Sequence, residues 1–282
     1  KDGRATFGKY DRLSGHERDP VGRTNPQRHA NKPARFQKPL PVVNRNANAK
    51  GTGFRFDLRI DKVDASGKRY YAAVALMSGQ QRFHLFDQQF QLLLSFPDNA
   101  LKNPHSGIAD VQLADLAGDG NLRAYVGYWG EVGVHAVSLT GERVWANRNV
   151  PNVQKMTVTG PDAEGNRRLL CANVTGMLAV MNAQGESAPP LVLGDRRIGW
   201  ITSADLEGDG RMAYCGLVAE TLGKNEAAGL AIDGSNARIT WTYQLPDGVS
   251  RQPVQPIVAG RLTKDGSGQW LLPGPDGSIH IL

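Results

Sequence analysis

The sequence has few cysteines and no long apolar run. Only two of its 282 residues are cysteines, and this number does not assign the protein to an oxidising or a reducing compartment. No segment approaches the roughly 18 apolar residues that a membrane-spanning helix needs. The first residues contain neither an initiating methionine nor a signal peptide, so we expect the chain to derive from a larger precursor.

The chain also lacks the short motifs that mark common catalytic sites. It contains no Gly-rich phosphate-binding loop, no Gly-x-Ser-x-Gly nucleophile elbow, no Cys-x-x-Cys-His haem attachment and no His-Glu-x-x-His zinc motif. Asp57, Asp61 and Asp64 are irregularly spaced beside a turn, which is typical of a solvated surface. The sequence therefore identifies no catalytic residue and no cofactor-binding residue, although scattered carboxylates can still converge once the chain is folded.

The positive charge of the chain is concentrated in its first fifty residues. The net charge is +6, and residues 1–50 hold 12 Lys and Arg against 4 Asp and Glu, whereas residues 51–282 are close to neutral. Five prolines and few periodic apolar positions predict an extended arm without regular structure. A basic arm can bind nucleic acid or anionic lipid, but the apolar residues Phe7, Tyr10, Leu13 and Phe36 favour packing along the protein's own body or a partner.

Two copies of one short motif indicate an internal repeat. Residues 114–120 (ADLAGDG) and 204–210 (ADLEGDG) lie 90 residues apart. Gly165 follows Gly120 by 45 residues and precedes Gly210 by the same distance. A fixed period with a turn residue at the same register is typical of repeat proteins.

Five units can be aligned on this period, and each is a series of short apolar segments separated by glycine-containing turns. The units are residues 54–97, 107–150, 153–193, 198–246 and 254–282. This pattern predicts a four-stranded antiparallel meander in each unit. The fourth unit carries a segment, 220–227, that we interpret as a loop insertion, and the fifth unit stops one strand short.

Short strands with no helical segment between them predict an all-β fold, namely a β-propeller of about five recognisable four-stranded blades preceded by an extended Pro/Arg-rich arm. The expected domains are the arm, 1–50, and the propeller, 51–282. The missing last strand leaves two alternatives. In the first, residues 39–44 of the arm complete the last blade and close the ring. In the second, the five blades belong to a larger ring.

The two cysteines are expected to be free. Cys171 and Cys215 lie in apolar segments at about the same place in successive units. Equivalent strands of neighbouring blades lie farther apart than the roughly 7 Å that a disulfide spans between Cα atoms, so the sequence predicts two buried thiols.

The ADLxGDG turn, followed by a short apolar strand and a glycine, resembles the FG-GAP or VCBS repeat of integrin-α-like propellers. Residues 139–145 and 232–241, which end in Trp145 and Trp241, resemble the outer-strand signature of quinoprotein-like propellers. The resemblance covers about residues 54–282, and the diagnostic turn motif is clearly recognisable in two of the five units. It implies the propeller fold, with each tryptophan filling a gap between blades. It implies no single activity, because propellers host unrelated functions.

In FG-GAP repeats a loop of the form Asp-x-Asp-Gly-Asp-Gly-x-x-Asp binds calcium through carboxylates at its first, third, fifth and ninth positions. On this resemblance the candidate calcium ligands are Asp205, Glu207 and Asp209 in the fourth unit and, with fewer ligands retained, Asp115 and Asp119 in the second. The ninth position holds Ala213 in the fourth unit and Arg123 in the second, and a cationic side chain opposes metal binding. The alternative, which we favour, is that these residues form turns and cap backbone amides.

Three histidines fall at the same register on the third strand of their units: His84, His135 and His280. A zinc ion needs its ligands within about 2 Å, whereas equivalent positions on different blades are a blade width apart. We therefore expect these side chains to form hydrogen bonds between blades rather than a metal site.

Together these features favour a non-catalytic protein–protein interaction or scaffold module, a subunit or C-terminal part of a larger extracytoplasmic assembly. The partner, another protein subunit, is expected to contact the basic arm or a propeller face, and nucleic acid is disfavoured because no nucleic-acid-binding fold is recognisable. The alternative is a propeller enzyme that acts on carbohydrate or uses a quinone cofactor. That alternative predicts a deep central pocket with converging carboxylates or a bound cofactor.

Overall fold

The computed structural model describes residues 55–76, 82–98, 105–193, 196–209, 211–221, 227–234, 238–245, 257–262, 266–274 and 278–282. The chain divides into two compact units, Lys1–Gly51 and Thr52–Leu282. The first unit lies outside the described residues, and so do the predictions of an extended arm and of ring closure by residues 39–44.

Nearly all the secondary structure of the described residues is β-strand, arranged in antiparallel sheets whose strand order follows the chain. The first sheet contains β1 (Arg55–Val63), β2 (Arg69–Leu76), β3 (Phe83–Asp87) and β4 (Leu92–Phe96). The second contains β5 (Ile108–Ala114), β6 (Arg123–Tyr128), β7 (Val134–Ser138) and β8 (Arg143–Asn147). The third contains β9 (Val153–Val158), β10 (Leu169–Asn173), β11 (Met177–Met181) and β12 (Leu191–Val192).

The last two sheets continue this arrangement. The fourth contains β13 (Arg196–Ala204), β14 (Ala213–Thr221), β15 (Ala227–Ile232) and β16 (Ile239–Leu245). The fifth contains β17 (Val258–Gly260), β18 (Gln269–Pro273) and β19 (Ile279–Ile281). A short 3₁₀ helix, Gly130–Val132, joins β6 to β7. The all-β prediction is confirmed, with one correction: β14 and β15 extend into both ends of segment 220–227, which we expected to be a loop insertion.

Six of the turns between strands share one local design. A polar side chain accepts hydrogen bonds from the backbone N–H groups two and four residues later; these residues are Asp64, Asp87, Ser138, Asp162, Asn173 and Asn182. The residue three positions later has a positive φ in each turn, and it is glycine in all but one of them. Such a turn is specified locally, because it requires only a short acceptor side chain and a residue that adopts a positive φ, which is usually glycine.

The core consists of four clusters of buried apolar side chains, each between one sheet and the next in the chain. Cys171 lies in the cluster between the second and third sheets, and Cys215 lies between the fourth and fifth. The two thiols therefore face away from each other across two sheets. Both are free and buried, as predicted. Burial raises the pKa of both thiols, that of Cys215 to about 12, so neither is a reactive thiolate at neutral pH.

Side chains also bridge the first strands of neighbouring sheets. The Asp110 carboxylate on β5 accepts a hydrogen bond from the Met156 N–H on β9 at 2.8 Å. The Thr157 and Ser203 hydroxyls, on β9 and β13, are 2.9 Å apart. Among the described strands β9 pairs with one neighbour inside its own sheet, so the Asp110 carboxylate supplies a partner to a backbone N–H at a sheet edge.

Candidate functional site

The candidate calcium ligands of the fourth unit lie in the loop between β13 and β14. The Asp205 carboxylate accepts hydrogen bonds from the N–H groups of Gly208 at 2.6 Å and Asp209 at 3.2 Å. Asp209 accepts from the Arg211 N–H at 2.9 Å and pairs with the Arg211 guanidinium, whose Nε is 2.7 Å away. Hydrogen bonds from Arg211 lower the pKa of the Asp209 carboxyl. Glu207 is exposed on the same loop.

The equivalent loop of the second unit is built in the same way. The Asp115 carboxylate accepts hydrogen bonds from the N–H groups of Asp119 at 3.2 Å and Gly120 at 2.7 Å. Asp119 forms an ion pair with Arg123 at 3.1 Å. Burial alone would raise the pKa of Asp119, but hydrogen bonds from Asn121 and Arg123 lower it to about 2.

Both loops thus direct their carboxylates to backbone amides and arginines. Within the described ranges, no group of three or more His, Cys, Asp or Glu side chains is arranged to hold a metal ion. Gly210, the last residue of the fourth-unit motif, is outside those ranges. Calcium binding at Asp205, Glu207 and Asp209, or at Asp115 and Asp119, stays a prediction.

The leucine of each ADLxGDG motif contacts the sheet that follows it in the chain. Leu116 is fully buried in the cluster between the second and third sheets, and its carbonyl accepts a hydrogen bond from the Arg167 N–H at 2.8 Å. Leu206 packs against the cluster between the fourth and fifth sheets, and its carbonyl accepts from the Arg261 Nε at 3.1 Å. The two loops that stand out in the sequence are therefore contacts between sheets.

The three histidines at one register lie in three different sheets and do not converge. Within the part of the chain that the structure describes, His280 forms the expected hydrogen bond between sheets, with its Nδ1 3.3 Å from the Tyr243 hydroxyl. His84 is instead 2.9 Å from the Ser95 hydroxyl within its own sheet. His135 makes a ring contact with Tyr128, with centroids 4.9 Å apart. The prediction of a hydrogen bond between sheets is thus wrong for His84, because the pairing of β3 with β4 places Ser95 directly opposite it.

A groove of about 700 Å³ crosses the end of the fourth sheet where the β13–β14 loop and the β15–β16 turn lie. Its walls come from three consecutive sheets. Thr159 and Arg168 belong to the third sheet, Tyr214 and Trp241 to the fourth, and Trp270 to the fifth. The groove therefore depends on how neighbouring sheets are packed, and no local sequence pattern marks it.

Trp241 is the exposed aromatic side chain of this groove. The sequence predicted that both tryptophans fill gaps between blades. Trp145 does so: its Nε1–H donates to the Ala183 carbonyl at 2.9 Å, and its ring packs directly on Gly185. Trp241, at the corresponding outer strand of the fourth sheet, remains 40% exposed, so the prediction was wrong for it. Trp241 lines the groove together with Trp270 of the fifth sheet.

The polar lining of the groove carries charges of both signs. Arg168 and Arg211 supply cations, and Asp162 and Asp233 supply carboxylates. The Tyr214 hydroxyl accepts a hydrogen bond from the Gly160 N–H at 2.7 Å and so connects the third and fourth sheets beneath the groove. This combination of an exposed indole and mixed polar groups suits a peptide better than a uniformly charged ligand.

Comparisons with known proteins agree on the fold. No protein-family model matches the chain, and no curated protein matches it. The solved structure of BBS1N in complex with ARL6DN matches with a TM-score of 0.54 at 11% identity, over 80% of this chain and 60% of that one. Sqt1 from Saccharomyces cerevisiae matches with a TM-score of 0.51 at 12% identity, over 80% of this chain and 72% of Sqt1.

The chain thus spans about three fifths of the length of the BBS1N chain that it matches. At such low identity the likeness shows the fold alone. These neighbours are β-propellers, and the predicted fold class is confirmed. None of the described helices is both long enough and apolar enough to cross a membrane. The chain has a β-propeller fold.

Proposed function

We propose that this propeller is a non-catalytic interaction module that binds a segment of another protein in the groove at the end of the fourth sheet. The observation that carries the proposal is the exposed ring of Trp241 in a groove built from three sheets. Tryptophan side chains contribute a large share of the binding free energy at protein interfaces when they enter a desolvated pocket. The structure of BBS1N as a complex with ARL6DN is consistent with such a role for a propeller.

The rest of the groove supports a protein ligand. Arg168 and Asp162 belong to one wall, and Asp233 lies beside the β15–β16 turn, so both the donors and the acceptors of a peptide find partners. An extended segment that places an apolar side chain against Trp241 can therefore be held along its length by hydrogen bonds.

We further propose that the two ADLxGDG loops are FG-GAP/VCBS-type repeats and that the protein acts in an extracytoplasmic assembly. The resemblance of those loops supports both statements. Calcium is proposed first for Asp205, Glu207 and Asp209, because that loop carries more carboxylates than the one with Asp115 and Asp119. Fractionation of the source cells tests the location, and a protein found only in the cytoplasm would contradict it.

The groove proposal is tested by capture of partners from an extract of the source organism with three forms of the chain: wild type, Trp241→Ala and Val144→Ala. Val144 is an exposed residue of β8 that does not line the groove, and it serves as the matched control. We expect one set of proteins with wild type and Val144→Ala, and its loss with Trp241→Ala. Retention of that set by Trp241→Ala would place the binding site elsewhere.

The basic arm is tested in the same experiment. A form without residues 1–50 is expected to retain the proteins that depend on Trp241. If these proteins are lost from the truncated form and kept by Trp241→Ala, the arm rather than the groove is the contact.

A further inference from the structure

The charged side chains that line the groove differ in whether they already have a partner inside the protein. The lining contains four of them, namely Asp162, Arg168, Arg211 and Asp233. Arg211 is paired with the Asp209 carboxylate, whose Oδ2 lies 2.7 Å from the Arg211 Nε. Because such an ion pair compensates both charges, Arg211 has little net attraction for a charged ligand.

The two carboxylates of the lining also have partners. The Asp162 Oδ1 accepts hydrogen bonds from the N–H groups of Glu164 at 3.2 Å and Asn166 at 2.7 Å, and these bonds hold the turn between β9 and β10. Asp233, beside the β15–β16 turn, has an interaction of its own within the chain. Both carboxylates are therefore stabilised before a ligand binds.

Arg168 is the exception among these four residues. Its backbone N–H donates to the Thr159 hydroxyl at 2.8 Å, and its carbonyl accepts from the Thr159 N–H at 2.8 Å, so the main chain fixes its position just before β10. Its side chain is exposed, and the guanidinium forms no hydrogen bond or ion pair with any residue that the structure describes. The adjacent Arg167 differs, because its Nη1 donates to the Thr159 carbonyl at 3.2 Å.

The other walls of the groove strengthen the attraction of an unpaired guanidinium for a carboxylate. They include the aromatic rings of Tyr214, Trp241 and Trp270. Apolar walls keep water away from a fixed charge, so its field is less screened in a groove than on an open surface. A planar guanidinium also matches a carboxylate geometrically, because it donates two parallel hydrogen bonds to it.

We infer that the segment bound in the groove is acidic, with an Asp or Glu side chain that pairs with Arg168 and an apolar side chain that packs on Trp241. This inference rests on the proposed binding of a partner segment and adds the chemical class of that segment. The two contacts belong to different sheets, the third and the fourth, so together they select a segment that carries both kinds of side chain.

Selection from a phage-displayed library of random peptides tests this inference on the full chain. The forms compared are wild type, Arg168→Gln, Arg168→Glu, Trp241→Ala and Arg148→Glu. Arg148 is an exposed arginine that does not line the groove, so Arg148→Glu is the matched control for charge reversal. The backbone hydrogen bonds of residue 168 do not depend on its side chain, and circular dichroism establishes that each variant keeps the fold.

We expect wild type and Arg148→Glu to enrich peptides that contain Asp or Glu together with an aromatic or aliphatic residue. Arg168→Gln should bind these peptides about two- to fivefold more weakly, which is the effect of losing one partly exposed ion pair. Arg168→Glu should instead enrich peptides with Lys or Arg. A purely structural role of Arg168 would not produce such a reversal of preference.

Two results would overturn the inference. One is a set of wild-type peptides that depend on Trp241 but show no preference for acidic residues, and the other is an acidic preference that Arg168→Glu retains. Either result would leave the proposed binding of a segment in the groove intact. If Trp241→Ala enriched the same peptides as wild type, the inference and the proposed function would both be overturned.

Discussion

The leucine of the second-unit motif provides the sharpest test of how the sheets are joined. Leu116 is fully buried between the second and third sheets. Leu116→Ala removes about three carbon atoms, which corresponds to about 2.4 kcal/mol of transfer free energy at about 0.8 kcal/mol each. The unfilled cavity adds to this loss, and measured Leu→Ala changes in cores cost about 2–5 kcal/mol. We therefore expect the free energy of unfolding to fall by about 3 kcal/mol.

The backbone carbonyl of residue 116 is retained in the variant, so its hydrogen bond from Arg167 persists and the change isolates the side chain. Urea denaturation followed by tryptophan fluorescence measures the loss. Leu206→Ala, at the same motif position but only partly buried, should lose less, and Leu92→Ala at the exposed edge should change stability by no more than about 0.5 kcal/mol. The proposed role of the motif would be refuted if Leu116→Ala lowered the free energy of unfolding by less than about 1 kcal/mol, or by less than Leu206→Ala does.

Three further predictions concern the same framework. Burial, with the nearby charges of Arg143 and Arg148, lowers the pKa of His135 from 6.5 to about 4, so the folded protein binds this proton less readily than the unfolded chain. The free energy of unfolding should therefore fall by about 2 kcal/mol, after allowance for screening, as the pH drops from about 6.5 through about 4. Urea denaturation of His135→Phe over the same pH range should not show this contribution. Gly185→Ala should destabilise the fold by more than about 1 kcal/mol, because φ is positive there and a Cβ would collide with the Trp145 ring. Gly266 also has a positive φ but open space around it, so Gly266→Ala should cost only the backbone strain. Equal losses of the two variants in thermal melts would contradict this prediction. If the motif carboxylates serve only as turn acceptors, a chelator should leave the melting temperature unchanged, and a drop restored by Ca²⁺ would favour the calcium proposal instead.

The local features of the fold could be predicted from the sequence. Gly165 and the two ADLxGDG motifs located the turns, because a turn needs only a short acceptor side chain and a residue that tolerates positive φ. The buried thiols of Cys171 and Cys215 followed from the apolar segments around them. The structure adds that their side chains point in opposite directions, that of Cys171 toward the second sheet and that of Cys215 toward the fifth.

The features that depend on neighbouring sheets could not be predicted in this way. Trp145 and Trp241 occupy similar sequence contexts, yet only the first is covered, because exposure depends on what the next sheet places opposite each ring. The role of Leu116 as a contact between sheets was also missed, although a leucine retained inside an otherwise polar turn motif was a signal that could have revealed it. The groove draws residues from three units and leaves no local pattern.

The mass of the native complex tests the central claim, that this propeller is a protein-binding module, most directly. The protein is purified gently, without chelator, and its mass is compared with that of the chain alone. We predict an additional protein-sized increment that disappears when Trp241 is replaced by alanine. A mass that exceeds the chain or its multiples by no more than a calcium-sized or cofactor-sized increment would contradict the account and direct attention to an enzyme site.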